Sequence, residues 1–151
     1  MPFKTILVGT DGSERAAVAV NAALELAKMN DARLYAAYVV HPTVVAGFAE
    51  AGAIQIDVDE AHEEAQRIKS QLLAEAELKG MGERVSVELI HSGAGDIAGS
   101  LISLAKDVNA DLVVVGNRGM SGARRFVLGS VPNSVTHHCH CSVLIVNTNT
   151  A

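Results

Sequence analysis

Short runs of branched aliphatic residues alternate along the chain with longer stretches in which apolar positions return every three or four residues. Phe3 to Thr10 is apolar and β-branched and reads as a strand, and Asp11-Gly12-Ser13 follows with turn chemistry and a helix N-cap at Ser13. Ala16, Val20, Ala23, Leu24 and Ala27 then predict a helix with a thin stripe of mostly small residues, ending near Asn30-Asp31. Arg33 to Val40 restores the strand pattern. From His41 to Asp57, Pro, Gly, Ala and brief apolar runs mix without a sustained period, so this is expected as the longest irregular connection. Val58 to Lys79 predicts a long helix with Ala61, Ala65, Ile68, Leu72 and Ala76 inward, stopped by Gly80.

Val85 to Ile90 reads as a third strand. Asp96 closes the Ser92-Gly93-Ala94-Gly95 turn as an N-cap, and Ile97, Leu101, Leu104, Ala105 and Val108 line the next helix. Leu112 to Val115 is a fourth strand, a short helix runs from about Val131 to His138 with Pro132 in its first turn, and Val143 to Val146 is the last strand. The order βαβαβαβαβ with buried strands predicts an α/β fold, an open doubly wound five-stranded parallel sheet with helices on both faces and right-handed crossovers. In strand order 3-2-1-4-5 the direction of winding reverses between strands one and four. Ligands bind beyond the carboxyl ends of the strands at such a reversal, which would bring Thr10-Asp11 to Gly116–Gly119. A length of 151 residues with 49% hydrophobic content fits one domain, 1–151, able to bury a core without disulfides or structural metal.

The predicted crevice coincides with the most distinctive stretch of the chain. Gly116-Asn117-Arg118-Gly119, nine further residues and Gly129-Ser130 follow directly on the fourth strand, and glycine there permits positive φ and close approach of a ligand to backbone N–H groups. From Leu112 onward there is no Asp or Glu, and Arg118, Arg124 and Arg125 give that segment +3. The whole chain carries −5, so residues 1–111 carry −8. An anion is favoured locally. Taken alone, the same loop would also serve as a solvated connection with solubilising arginines.

Composition narrows the partner. Aromatic residues make up 3% of the chain with no Trp, and the pI is near 5.6, which disfavours base-stacking platforms and general binding to nucleic acid or anionic membranes. Met1-Pro2-Phe3-Lys4 leads straight into a strand without the features of a secretory signal, no apolar run is long enough to span a bilayer, and two cysteines close in sequence make no disulfide framework. The expected compartment is the cytoplasm, and the expected partner a small molecule.

Thr10-Asp11-Gly12-Ser13 at the first strand, together with Gly116-x-x-Gly119-x9-Gly129-Ser130 at the fourth, resembles the universal stress protein family over nearly the whole chain. The resemblance implies an adenine nucleotide alpha hydrolase-like fold and an ATP-binding homodimer that acts in stress signalling through a bound nucleotide, probed by an unidentified protein partner. It implies that Gly116, Arg118, Gly119, Gly129, Ser130 and Val131 surround the phosphates and ribose. Gly9, Thr10 and Asp11 would line the first-strand side, Val115 the base of the loop, and Val39 would face adenine through its backbone. A carboxylate repels phosphate, so Asp11 would contact adenine or ribose, hold a Mg²⁺ that bridges the phosphates, or cap the turn before the first helix. Ser130 would donate its hydroxyl to phosphate or serve as a plain N-cap. Arg124 and Arg125, further along, are expected to face solvent. Val143 to Val146 would pair with its copy across a sheet edge to make the dimer.

Other chemistries fit less well. The loop lacks the lysine and spacing of a Walker P-loop, and no Gly-x-Gly-x-x-Gly follows the first strand. An adenylating enzyme of related architecture would carry a richer serine-glycine loop than Thr10-Asp11-Gly12-Ser13, and a non-nucleotide interaction module of the same fold would not need the glycines. His41, His62 and His91 are scattered and make no triad, so no dedicated catalysis is expected, although slow ATP hydrolysis is compatible with positioned phosphates. His137-His138-Cys139-His140-Cys141 has soft donors, but alternate positions are expected to point apart, leaving the histidines to favour a helix terminus rather than a metal.

Overall fold

Strands that are apolar on both faces need cover on both, and the crossover helices provide it. A computed structural model describes residues 2–40, 43–45, 55–91, 96–117 and 128–149, with the backbone alone described for 43–45 and 55–58. In chain order the elements are β1 (Thr5–Thr10), α1 (Glu14–Asn30), β2 (Arg33–Val40), β3 (Thr43–Val45), β4 (Gln55–Asp57), α2 (Val58–Leu78), β5 (Val85–His91), α3 (Ile97–Asp107), β6 (Leu112–Gly116), α4 (Ser130–His138) and β7 (Ser142–Val146). The main sheet is parallel and ordered β5-β2-β1-β6-β7, which is the expected 3-2-1-4-5 winding of its five strands.

Alternation along β1 divides the core. Ile6 and Val8 join Ala19, Val20 and Ala23 of α1 in one cluster, whereas Leu7 joins Leu101 of α3 and Val135 of α4 in the other. Ala19, Ala23 and Ala27 are fully buried, and their small side chains let α1 lie close on the sheet. A third cluster joins Tyr38 and Val40, at the carboxyl end of β2, to Ala61, Ala65 and Ile68 of α2.

The helix ends follow their local chemistry. Ser13 Oγ accepts the Ala16 N–H at 3.1 Å and Asp96 Oδ1 accepts that of Gly99 at 2.8 Å, as expected of N-caps. Gly80, just past α2, has φ 72°, the left-handed conformation that ends a helix and suits glycine. None of the helices is long and apolar enough to cross a membrane, among the described residues.

One expectation is corrected. Within 41–57, β3 and β4 pair antiparallel through Thr43↔Asp57, Val44↔Ile56 and Val45↔Gln55. Runs of three residues are too short for a period of two to stand out, and their pairing is non-local.

Candidate functional site

The strands part where their order reverses. β1 pairs with β6 through Ile6↔Leu112, Leu7↔Val113 and Val8↔Val114 and no further, while β6 continues along β7 to Gly116↔Val146. β1 stays with β2 to Thr10↔Tyr38, and β2 runs on beside β5 to Val40↔His91. Gly9 and Thr10 on one side, and Val115 and Gly116 on the other, therefore lie beyond the last rung that joins their strands. The result is a crevice at the carboxyl end of the sheet. Val39 lies one residue past the last β1–β2 pair, so its backbone borders the same end.

On the β1 wall, short polar side chains hold the turn. Thr10 is buried and its Oγ1 accepts the Gly12 N–H at 3.1 Å, and Asp11 Oδ1 accepts the Ser13 N–H at 2.9 Å. One Asp11 oxygen thus fixes the turn into α1, the structural role expected for it, and the other is not used by that turn. Gly12 has φ 79°, and a Cβ there would stand 2.5 Å from Ile68 Cδ1 and 3.3 Å from a Tyr38 ring carbon, so α2 packs directly beneath the turn. Gly9 is similarly close to α3, since a Cβ would lie 3.1 Å from Leu101 Cδ1. Burial raises the Tyr38 phenol above its ordinary pKa, with the Glu64 and Asp11 carboxylates adding to the shift and Arg67 opposing it. Arg67 is itself paired with Glu64 at 2.6 Å, and the Asp11 carboxylate adds a further negative charge to this wall.

The β6 wall has the opposite character, and Asn117 organises it. Its N–H donates to Val146 O at 2.9 Å, its carbonyl accepts the Gly129 N–H at 3.0 Å, and its Oδ1 accepts both the N–H and the hydroxyl of Thr148 at 3.0 and 2.9 Å. Gly116 and Gly129, far apart in sequence, are thereby brought together. Gly129, not Ser130, is the N-cap of α4; it has φ −59° and ψ 165°, which other residues also adopt, and among the described residues no side chain caps the helix. Ser130 is exposed in the first turn, which holds no acidic residue. Among the described residues, the N–H groups of Ser130 and Val131 and the positive end of the helix dipole thus have no side-chain acceptor, and they favour an anion.

Nine of the eleven expected site residues therefore border this end of the sheet: Gly9, Thr10, Asp11, Val39, Val115, Gly116, Gly129, Ser130 and Val131. Arg118 and Gly119 lie outside the described residues, as do Arg124 and Arg125. The sequence reading missed Asn117 as an organising residue, although it stood inside the glycine loop, and Thr148, whose burial nothing in Asn147-Thr148-Asn149 signals.

The cysteine expectation also needs correction. Cys139 Sγ and Cys141 Sγ lie 3.5 Å apart instead of pointing away from each other. Residues two apart in extended backbone face the same side, and the chain bends through 140–141 before β7 begins at Ser142. Burial, followed by the hydrogen bond and charge of Cys139, pushes the Cys141 thiol up to about 12, which argues against a nucleophile. His137 and His138 place Nδ1 against the carbonyls of Asn133 and Ser134 at 2.8 and 3.0 Å, within the last turn of α4.

Comparison with known proteins adds a family to this geometry. The profile described as the universal stress protein family matches residues 2–147. Universal stress protein YxiE of Bacillus subtilis is 34% identical over 147 residues, covering 95% of this chain and 99% of that protein. Among solved structures, a universal stress protein in complex with cAMP is 29% identical, covers 99% of this chain and 100% of its own, and has a TM-score of 0.70. The Archaeoglobus fulgidus universal stress protein in complex with dAMP, 21% identical with a TM-score of 0.67 and covering 97% and 100% of the two chains, shares the fold.

Proposed function

The chain belongs to the universal stress protein family, and from that membership we propose that it is a regulatory protein that binds an adenine nucleotide, ATP with Mg²⁺, between β1 and β6. The observation that carries the reading is the parting of these strands beyond Val8↔Val114, beside a helix whose first turn lacks a side-chain cap among the described residues. The polarity of the two walls orients the ligand. Phosphates lie at the α4 side, held by the Ser130 and Val131 N–H groups, with Gly116, Arg118, Gly119 and Gly129 as the surrounding loop. Adenine and ribose lie toward Gly9, Thr10, Asp11 and the Val39 backbone, and Val115 closes the floor. The Asp11 oxygen not used by the turn reaches the ribose or a Mg²⁺ on the phosphates.

The role is signalling rather than turnover. The nucleotide biases a surface read by another protein, and the chain works in the cytoplasm as a homodimer. The edge position of β7 supports the dimer, because among the described residues its outer hydrogen-bonding groups have no partner strand and pairing two copies would cover them. A second reading puts cAMP in the same crevice, favoured by the relative solved with that ligand.

Mass spectrometry of the small molecules released from freshly purified, heat-denatured protein tests the proposal. Near-equimolar ATP supports the first reading and cAMP the second. Protein that emerges empty and ignores both added nucleotides would overturn them in favour of an interaction module with no ligand.

A further inference from the structure

The turn between α4 and β7 carries a donor set that nucleotide binding does not use. Cys139 closes α4 in extended backbone with φ −72° and ψ 142°, the chain bends through His140 and Cys141, and β7 begins at Ser142. The two sulfurs lie 3.5 Å apart, and these and a His140 ring nitrogen all fall within 4.8 Å of one another. That sulfur separation far exceeds the roughly 2.05 Å of a disulfide bond. An ion about 2.3 Å from each sulfur, the usual Zn–S length, would instead span an S–metal–S angle of about 100°, close to tetrahedral.

Access and chemistry agree with the spacing. The two cysteines are half-buried and His140 is exposed, so one side of the set opens to solvent. The donors are sulfur and nitrogen, which select a soft or borderline ion over Mg²⁺ or Ca²⁺. The Nδ1 atoms of His137 and His138 are taken by backbone carbonyls of α4.

We propose that Cys139, His140 and Cys141 form a binding site for Zn²⁺, with water in the fourth position. Each thiol gives its proton to the buffer, and the two thiolates balance the charge of the ion while the imidazole stays neutral. The bound ion ties the end of α4 to the start of the edge strand β7. The proposal stands independently of the nucleotide, since none of its ligands borders the crevice.

The test is cobalt substitution in the intact chain, stripped with chelator and kept reduced. Titration with Co²⁺ should give a thiolate-to-cobalt charge-transfer band and tetrahedral d–d bands at one equivalent, all removed by one equivalent of Zn²⁺. Cys139→Ser or Cys141→Ser should abolish the charge-transfer band. His140→Ala, a change at an exposed side chain, should keep the fold by circular dichroism and weaken zinc at least about tenfold, since losing a ligand costs no less than losing a group that supports one. It carries the test if either serine variant fails to fold. Joint replacement of His137 and His138 by Ala should leave the affinity unchanged. Absence of the charge-transfer band in the parent chain, unchanged zinc affinity in His140→Ala, or binding lost only with His137 and His138 would overturn the site.

Discussion

Replacing Asn117 with alanine removes the single side-chain oxygen that accepts both the N–H and the hydroxyl of Thr148, at 3.0 and 2.9 Å. Thr148 is only 3% exposed, so water cannot readily replace either bond. At about 1 kcal/mol for each hydrogen bond lost, with a further cost for a buried donor left unsatisfied, Asn117→Ala is expected to cost about 2–3 kcal/mol. For a chain of this size that lowers the thermal midpoint by about 5–10 °C. Chemical denaturation followed by circular dichroism measures it. Asn117→Asp keeps an acceptor for Thr148 and should retain most of the stability, yet its new charge beside the α4 N-terminus should weaken nucleotide binding. Thr148→Val should cost about 1 kcal/mol alone and little more when added to Asn117→Ala, because the two changes remove the same bond. A loss below about 0.5 kcal/mol for Asn117→Ala, or full additivity in the double variant, would refute the assignment of Asn117 as the tie between β6 and the C-terminal segment.

Three further outcomes follow from the same geometry. Gly12→Ala forces a side chain into φ 79° with its Cβ 2.5 Å from Ile68 Cδ1; denaturant titration should show a loss of about 2–4 kcal/mol, and a change under 1 kcal/mol would mean that α2 does not pack beneath the turn. Ser13→Ala removes the cap on the Ala16 N–H and should cost about 1 kcal/mol in the same assay. Tyr38 has a phenol pKa raised on folding, so its contribution to stability is complete below the unfolded value near 10.0 and is lost as pH rises through the higher folded value. Unfolding free energy should accordingly fall above pH about 10, and less steeply in Tyr38→Phe; equal slopes in the two proteins would contradict the shift.

Much of this architecture was legible in the chain because its signals are local. Short β-branched runs such as Leu112-Val113-Val114-Val115 read as buried strands, Ser13 and Asp96 cap the helices that follow them, and Gly80 takes the left-handed conformation that stops α2. The crevice followed from topology, because alternating strands and helices fix where the winding reverses. What stayed hidden depends on contacts between distant residues. Asn117 acquires its role from Thr148 and Gly129, and β3 and β4 from each other. Ser130 was the cap the sequence offered, and Gly129 takes that place because the backbone of α4 begins at Ser130. At Cys139 and Cys141, donors expected to point apart lie together, because residues two apart in extended backbone face the same side.

The central claim is that the first turn of α4 receives the phosphates, and Ser130→Asp tests it most directly. The side chain is exposed and stands in a first turn with no acidic residue, so a carboxylate there favours the helix dipole and should leave stability equal or slightly higher. The same charge repels a phosphate held at the Ser130 and Val131 N–H groups by at least about 1.4 kcal/mol, or tenfold in affinity. Isothermal titration of ATP with Mg²⁺ into both proteins decides the matter. Undiminished stability with ATP affinity lowered tenfold or more is the predicted result, whereas unchanged affinity in a well-folded Ser130→Asp protein would place the phosphates elsewhere and contradict the account.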